Sequence, residues 1–577
     1  MTEHLADESL AVANDNTLDL IPDNTTIADL PNELLEEIFM FNSLHNFQCL
    51  HNPGQTIRRT SQVCRRWRTI ALNTPVIWAH IVDLESRSRW IEVVLDRARS
   101  VPLDLIFPSI TRDLMDESWA PNMLRNSLSF EMIDLAANRA PQVWHSLWLL
   151  FDWELLEKCL RNARSFLLSG PSCNWSNFLS PLVISYLPRL KSLSLVTPDR
   201  ESGFFGEGRR LTGGRPWNLR SLNLRKCNMF FDGLSLPYLE ELTIHHLPEA
   251  QALSSVRWLR ILENLPKLKR LELVDVTCTR LWNSQRDDEN YSELRQVVQL
   301  PNLQSLRLLS PLSHCTSILE NLVIPPSCTL DLSTYGFLSL RQEFYSLVNI
   351  IEQKFNTLED ATFGDTIRLS ISPNTFVAHV FRDKDSYEST GFSFYLYMAW
   401  ITAFDSDGVC INIDPFTVLS VMTAALIKPC ASVTKLHIDL DVSDQPEERM
   451  RVLAEIFSHF TNLKHLHHVT PSTLRFLHNF LSQRTRMAVE DDSESEAEYS
   501  KFLPLMNTIS FQDVNFASLD PSIPNFFKTL HDFVTSRLAD QNVNPITCLI
   551  FESCRGMSKK EINEFANVGV QLNLDES

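Results

Sequence analysis

The chain returns five times to one short phrase: LPRLKSLSL (187–195), WNLRSLNLRKC (217–227), LPYLEELTI (236–244), LPKLKRLEL (265–273) and LPNLQSLRL (300–308). The shared unit is apolar-x-x-Leu-x-Leu, often announced by Leu-Pro. Leucines two apart along a short strand point to one side. Leu193 with Leu195, and Leu271 with Leu273, therefore belong to a core face, and the residues between them to the opposite face. The leucine three positions earlier covers the preceding turn. Leu193 and Leu222, Leu242 and Leu271, and Leu436 and Leu466 are separated by about thirty residues, the period of a stacked strand-and-return unit. Fainter copies are WHSLWLL (144–150), ARSFLL (163–168), SVTKLHI (432–438), TNLKHLHH (461–468) and ITCLIFESC (546–554). One such unit cannot bury its own apolar side, so a contiguous array is expected.

The phrase resembles the leucine-rich repeat, closely over 187–310 and 430–470 and thinly over 311–430. The position where that repeat places Asn or Cys holds Cys227 in Leu219-x-x-Leu222-x-Leu224-x-x-Cys227 and Cys554 in Ile546-x-x-Leu549-x-Phe551-x-x-Cys554. The resemblance implies an irregular α/β solenoid over 144–556, with strands on a concave face. SSVRWLRILENL (254–265) and ERMRVLAEIFSHF (448–460) have helical period and are expected on the convex side. Within 311–430 degenerate repeats or an inserted hairpin are expected: Leu358-x-x-Ala361-x-Phe363 as one divergent unit, and Thr375 to Trp400 as two strands around a charged turn. By alternation Ser192, Ser194, Asn223, Arg225, Glu241, Thr243, His245, Arg270, Glu272, Ser305, Arg307, Lys435, His437, His465 and His467 face outward. Arg225, His245, Arg270, Glu272, Arg307, His437, His465 and His467 are the candidate contacts to a protein target. Their mixture of charges excludes a uniformly basic groove.

Upstream lie IADLPNELLEEIFMF (27–41) and TSQVCRRWRTIALNTPVIWAHI (60–81). Pro31 suits a first helical turn, and Glu33, Glu36 and Glu37 load the early turns with the sign that a helix N-terminus favours. Leu34, Leu35 and Ile38 share a face. Val63, Trp67, Ile70 and Ala71 recur at helical spacing, and Asn73-Thr74-Pro75 is a stop. Two such helices carry more apolar surface than they can bury together, which predicts a docking partner. Leu30-Pro31, Glu33-Leu34-Leu35, Ile38, Val63-Cys64, Arg66-Trp67, Ile70-Ala71 and Pro75-x-x-Trp78 resemble the F-box in its fungal form. The resemblance implies a three-helix module at 27–81 that binds the Skp adaptor of a cullin–RING ubiquitin ligase, while the rest of the chain selects the substrate. Leu30, Pro31, Leu34, Leu35, Ile38, Val63, Cys64 and Trp67 are the positions it assigns to that contact, Trp67 with the alternative of closing the module's own core. Asn42 to Arg59 is longer and more polar than the family pattern, and the middle helix is expected near Leu44 to Leu50.

The remaining divisions are a polar acidic tail (1–26), a linking helix and strand with the first divergent repeats (82–143), an acidic loop (484–500) and a C-terminal cap and tail (557–577). The linking helix is expected over Arg87–Ala98 and its strand over Val101–Ile106. The 577 residues are too many for one compact core and require several domains or an array. A formal charge of −19 argues against nucleic acid as the main partner. Phe394 to Phe404, the longest apolar run, falls short of a membrane span. MTEHLADESLAVANDN has no basic segment leading an apolar run, so no secretory signal is expected. Twelve scattered cysteines without CxxC pairs fit reduced thiols, hence cytosol or nucleus.

Chemistry is sparse. His45, Cys49, His51 and Cys64 lack the paired spacing of a structural zinc site, so neither metal nor another cofactor is expected. His465, His467 and His468 form a second cluster, read as exposed surface with a pH-sensitive contact patch as the alternative. SGFFGEGRRLTGGR (202–215) lacks the GxxxxGK[ST] phosphate loop and reads as an excursion between repeats, with Arg209, Arg210 and Arg215 able to grip an anion. Ser493 and Ser495 sit among acids as candidate phosphorylation sites. No GxSxG, HExxH or Cys/His nucleophile context occurs, and a non-catalytic chain is expected. The two readings carried forward are a substrate receptor of an SCF-type ligase and a non-ligase scaffold; an enzyme is a remote third.

Overall fold

The computed structural model describes residues 27–43, 53–107, 153–169, 187–196, 218–227, 236–247, 252–277, 297–336, 341–358, 364–381, 393–400, 403–404, 410–411, 415–440, 447–487, 503–519 and 523–574, apart from 85, 87, 188, 524 and 542. The WHSLWLL copy, the glycine-rich excursion, His45, Cys49, His51, the Ala361-x-Phe363 part of the divergent unit, and Ser493 and Ser495 lie outside the described residues.

Four helices open the structure: α1 (Asn32–Ser43), α2 (Pro53–Thr60), α3 (Arg65–Asn73) and α4 (Pro75–Ala79). On α1, Leu35, Phe39 and Ser43 repeat every four residues and are buried. Cys64 caps α3 by accepting from the Trp67 amide at 3.5 Å, and Pro75 starts α4 where its missing amide costs nothing. Trp78 is fully buried, with Nε1 donating to the Ala71 carbonyl at 2.6 Å. The middle helix stands at Pro53–Thr60, later than the expected Leu44 to Leu50, which is outside the described residues. Pro53 opens the described helix, where its fixed φ and missing amide suit a first turn.

Beyond these helices, the described residues form a mixed, mostly parallel sheet of seventeen strands, two separate two-stranded ladders and the helices that connect the strands. The large sheet begins at once: β1 (Val82–Asp83) follows α4 and pairs in parallel with β2 (Leu103–Phe107), the helix α5 (Ser88–Ala98) forming the crossover. Next come β3 (Ala163–Ser169), β4 (Ser192–Val196), β5 (Ser221–Arg225), β6 (Glu241–His245) and β7 (Arg270–Val274), each parallel to the one before. The strand expected over Val101–Ile106 thus belongs to the same sheet as the repeats, with the linking helix as its crossover from β1. Leu193, Leu222, Leu242 and Leu271 stand in one register row, all nearly or fully buried. A short parallel ladder of β8 (Val298–Gln299) and β10 (Leu322–Val323) flanks β9 (Ser305–Pro311), which continues the main sheet to β11 (Thr329–Gly336).

The turn after the strand recurs as well as the strand. Lys226, His246, Asp275, Asp513 and Ser553 each follow a strand and each adopt positive φ, between 50° and 56°. This left-handed step reverses the chain, and the next residue (Cys227, Leu247, Val276 and Val514) is buried again. Cys227 Sγ donates to the Leu195 carbonyl of the preceding strand at 3.1 Å, and Cys554 Sγ approaches the Phe511 carbonyl at 3.6 Å. The two cysteines do the same work at opposite ends of the sheet, as their place in the phrase predicts.

Between β11 and the later parallel strands the chain departs from the repeat. β12 (Thr366–Ser372), β13 (Thr375–Phe381) and β14 (Phe394–Trp400) form an antiparallel meander inserted in reverse order: β14 lies parallel to β11, and β12 lies parallel to β17 (Lys435–Leu440). The expected strand pair over Thr375 to Trp400 is β13 and β14. Continuity survives because Phe376, Ala378 and Val380 still alternate inward. The apolar run from Phe394 splits between β14 and a small antiparallel pair, β15 (Ala403–Phe404) with β16 (Cys410–Ile411). No helix among the described residues is long and apolar enough to cross a membrane. From β17 the parallel order resumes through β18 (His465–Val469), β19 (Thr508–Gln512), β20 (Cys548–Glu552) and β21 (Gln571–Leu574). β21 falls in the stretch expected to be a polar tail. The expected cap helix precedes it as Lys559–Asn567, its first turn closed by a reciprocal Ser558/Glu561 capping box.

Helices cover the inward face. Ser255–Glu263, Leu312–Glu320, Arg341–Thr357 and Pro415–Ala425 pack on one another in chain order, followed by Glu447–Ser458. Farther on, Pro471–Met487 packs against Phe526–Ala539, whose Arg537 is 1% exposed. That guanidinium is tolerable in the core because it donates to the carbonyls of Leu503, Pro504, Met506 and Asn544 at 2.9–3.2 Å.

Candidate functional site

Two surfaces present themselves, one on the N-terminal helices and one on the outward face of the sheet. On α1 a second stripe runs beside the buried one. Leu34, Ile38 and Phe41 are 44%, 38% and 76% exposed, and Val63, at the entry to α3, is 62% exposed. Ile27 and Pro31 are also exposed, and Leu30 is partly buried. An apolar stripe facing water costs solubility unless a partner covers it. The structure therefore separates the candidate contact residues. Leu34, Ile38, Val63, Pro31 and Cys64 are accessible, while Leu35 is fully buried and is core, not contact surface. Trp67 is half-buried and meets Phe39 edge-on at 5.2 Å, so its ring closes the helical core, the alternative weighed for it. Phe41 and Ile27 were missed. Phe41 carries the signal that could have found it, lying three residues beyond Ile38 on the same helical face.

The helical unit is fastened to the sheet by a polar cluster. His80, at the end of α4, contacts Asp104 Oδ2 through Nδ1. Arg164 donates to the same carboxylate at 2.6 and 3.2 Å, and Ser165 Oγ donates at 2.7 Å. Burial pushes the Asp104 carboxyl up, but the bonds from His80, Arg164 and Ser165 outweigh it and hold the group at about 2.

On the sheet's outward face the alternation places the candidate residues as expected: Arg225, His245, Glu272, His437, His465 and His467 are partly exposed, and Arg270 and Arg307 are exposed. Register joins several of them into one ladder. Arg307 bridges two carboxylates, Glu272 Oε1 at 2.8 Å and Asp331 Oδ2 at 3.1 Å, and His245 Nε2 lies 3.1 Å from Glu272. The two acids respond differently. Burial raises Asp331, and the Arg307 charge only partly opposes it. Burial also penalises Glu272, but His245, Arg307 and Arg225 together bring it below the ordinary carboxylate value. Asp331 was missed because its strand lacks the announcing Leu-Pro. At the far side His437 and His467 are register partners with rings stacked at 5.2 Å, and His465 lies 5.7 Å from His467. Burial and the neighbouring Lys435 and Lys464 lower His465. Among the described residues no group of three or more His, Cys, Asp or Glu could hold a metal ion, and Cys64 stands apart and exposed.

The exposed stripe and the helical order agree with one family at the level of sequence. Residues 27–83 are an F-box-like domain. Domains of this kind bind Skp-type adaptors. The F-box-like domain ends at β1, so the first strand of the sheet is also its last element. No curated protein matches the chain in sequence. Two solved structures are similar in part. The crystal structure of the TLR13–ssRNA13 complex is 14% identical with a TM-score of 0.26, covering 72% of this chain and 50% of that one. Listeria monocytogenes InlP is 14% identical with a TM-score of 0.14, covering 43% of this chain and 83% of that one. The chain thus spans about half the length of the first.

Proposed function

We propose that this protein is the substrate-recognition subunit of an SCF-type cullin–RING E3 ubiquitin ligase of the fungal kind, acting in cytosol or nucleus. The F-box-like domain docks a Skp adaptor, which brings the cullin and RING subunits. The sheet, an irregular leucine-rich-repeat solenoid, holds the target protein on its outward face. The chain performs no covalent chemistry and needs no cofactor; it raises the effective concentration of a bound target beside the ubiquitin-charged enzyme. The observation that carries this reading is the Leu34/Ile38/Phe41 stripe, exposed beside a buried helical core of Leu35, Phe39, Ile70 and Trp78.

Co-expression of the full chain with a Skp adaptor, followed by size-exclusion chromatography, tests it. A one-to-one complex is expected, and Leu34→Ala with Ile38→Ala should dissolve it. Failure of the unmodified, folded chain to bind would remove the docking assignment. The second reading is a scaffold that holds the adaptor without assembling a ligase. It is favoured if adaptor is recovered from cells and cullin is not.

A further inference from the structure

The two ends of the large sheet are finished differently. At the first, β1 pairs only with β2, and Ile81, Val82 and Leu84 are buried where the strand leaves the N-terminal helices. At the last, β21 pairs in parallel with β20, and among the described residues no other strand meets it. Gln571, Asn573 and Leu574 are exposed, and Leu572 is only partly buried. The strand reads QLNL. It has none of the charged side chains, prolines or bulges that ordinarily blunt an open edge.

Hydrogen-bond parity fixes what this edge offers. Along a strand the N–H and C=O of one residue point the same way, and successive residues alternate sides. The Gln571 amide donates to the Thr547 carbonyl at 2.9 Å, so the backbone groups of Gln571 and Asn573 turn toward β20. Those of Leu572 and Leu574 turn away from the sheet. Before them, the Val570 amide donates to the Phe565 carbonyl of the cap helix at 3.3 Å, which closes the edge on that side.

We propose that this edge is a homodimer interface, joining β21 to β21 of a second copy of the chain, antiparallel, about a two-fold axis through Asn573. That centre sets Leu572 of each copy opposite Leu574 of the other as hydrogen-bonded pairs, so each open N–H meets an open C=O. Centring on Leu572 instead sets Leu574 against Val570, whose amide is occupied. The side chains agree with the same centre. Leu572 packs at the margin of the core, and Leu574 is 39% exposed. The pairing lays each Leu574 beside the other copy's Leu572 and carries the buried row of Leu549 and Phe551 across the seam. A second copy suits the edge because the strand is its own complement, uncharged against uncharged. The inference does not rest on adaptor docking, since α1 belongs to the opposite end of the sheet.

Sedimentation equilibrium of the full chain over a concentration series tests it. The seam is far smaller than a standard interface, so a reversible dimer no tighter than about micromolar is expected. Both copies carry a net charge of −19, so the dimer should tighten as salt screens their repulsion. Leu572→Pro removes an outward amide, a change that an edge strand tolerates, and should weaken the dimer by about tenfold or more. Leu574→Lys, which puts a charge at the seam and leaves the backbone alone, should act in the same direction. Val323→Lys, at a comparably exposed apolar position on β10, should have no effect. Register is read separately by mild oxidation. Asn573→Cys should give a disulfide-linked dimer, because a non-hydrogen-bonded antiparallel pair holds its Cα atoms about 4.5 Å apart. Gln571→Cys, with its twin more than about 10 Å away, should give no more than the parent chain. A chain that is monomeric at every concentration overturns the proposal and leaves the edge to a strand of another protein. So does a dimer that survives both Leu572→Pro and Leu574→Lys, or association that continues past the dimer. Thermal unfolding reports the fold of each variant; if Leu572→Pro does not fold, Leu574→Lys and the crosslink decide.

Discussion

His80 and Asp104 join the last helix of the F-box-like domain to the second strand of the sheet, and Arg164 on the third strand closes on the same carboxylate. The domain is thus not hung on a linker: its final strand β1 lies in the sheet, and this cluster locks the corner. In the proposed receptor role, a fixed corner would set where a bound target points.

The Asp104 carboxyl, held at about 2 against an ordinary value of 3.8, links this corner to pH. Its folded pKa is depressed, so its contribution is complete above pH 4 and is lost as pH falls toward 2. The shift corresponds to on the order of 1–2 kcal/mol once solvent screening is allowed for. Asp104→Asn should lower unfolding stability by that amount at pH 7. The gap between variant and parent should close below pH 4 in urea titrations read at several pH values. A gap of constant size would mean that packing, not charge, holds the corner.

Adjacent leucines on α1 should behave in opposite ways. Leu35 is fully buried, and Leu35→Ala should cost about 2–5 kcal/mol through transfer and cavity terms. Leu34 is 44% exposed, and Leu34→Ala should leave the melting temperature within a degree or two while weakening adaptor capture. Thermal unfolding and pull-down on the same two variants check the pair.

The repeat core was legible because its period is enforced by geometry. Each Leu-x-Leu pair must alternate, so the inward positions of Leu222 and Leu224 and the outward position of Glu272 follow from the phrase alone. The insertion was legible only in part. Leu330 and Leu332 of β11 fill the repeat's inward positions, but Pro325-Pro326 and Cys328 stand where the phrase calls for Leu-Pro and leucine. Asp331 therefore stayed hidden, along with its bridge to Arg307. His80 with Asp104 had no local signal at all: the pair lies across a crossover, and only register brings it together. On α1 the sequence named the right face too broadly, because Leu34 and Leu35 share hydropathy and differ only by the rotation of one residue about the helix.

The left-handed turn residues give a prediction about the array itself. Lys226 has φ of 54°, where a side chain with a branched Cβ is badly strained. Lys226→Val should cost about 1–2 kcal/mol. Lys226→Gly should be neutral or slightly stabilising, because relief of strain offsets the added freedom of the unfolded chain. Equal effects of the two substitutions in denaturant titrations would show that the turn is not a constraint on the stack.

Cysteine chemistry separates surface from core in one experiment. Cys64 is exposed at the start of α3, whereas Cys159 and Cys315 are buried, with burial pushing each thiol up to about 12. A thiol reacts as its thiolate and only when reached, so these two should stay unmodified while Cys64 is alkylated. Peptide mapping after brief iodoacetamide treatment of the folded chain reads this directly. The informative step is the repeat with adaptor present. Cys64 adjoins Val63, one of the exposed apolar residues of the proposed docking surface, and a bound adaptor should slow its alkylation several-fold. Adaptor binding without protection of Cys64 would confine the contact to α1 and exclude the α3 entry from it.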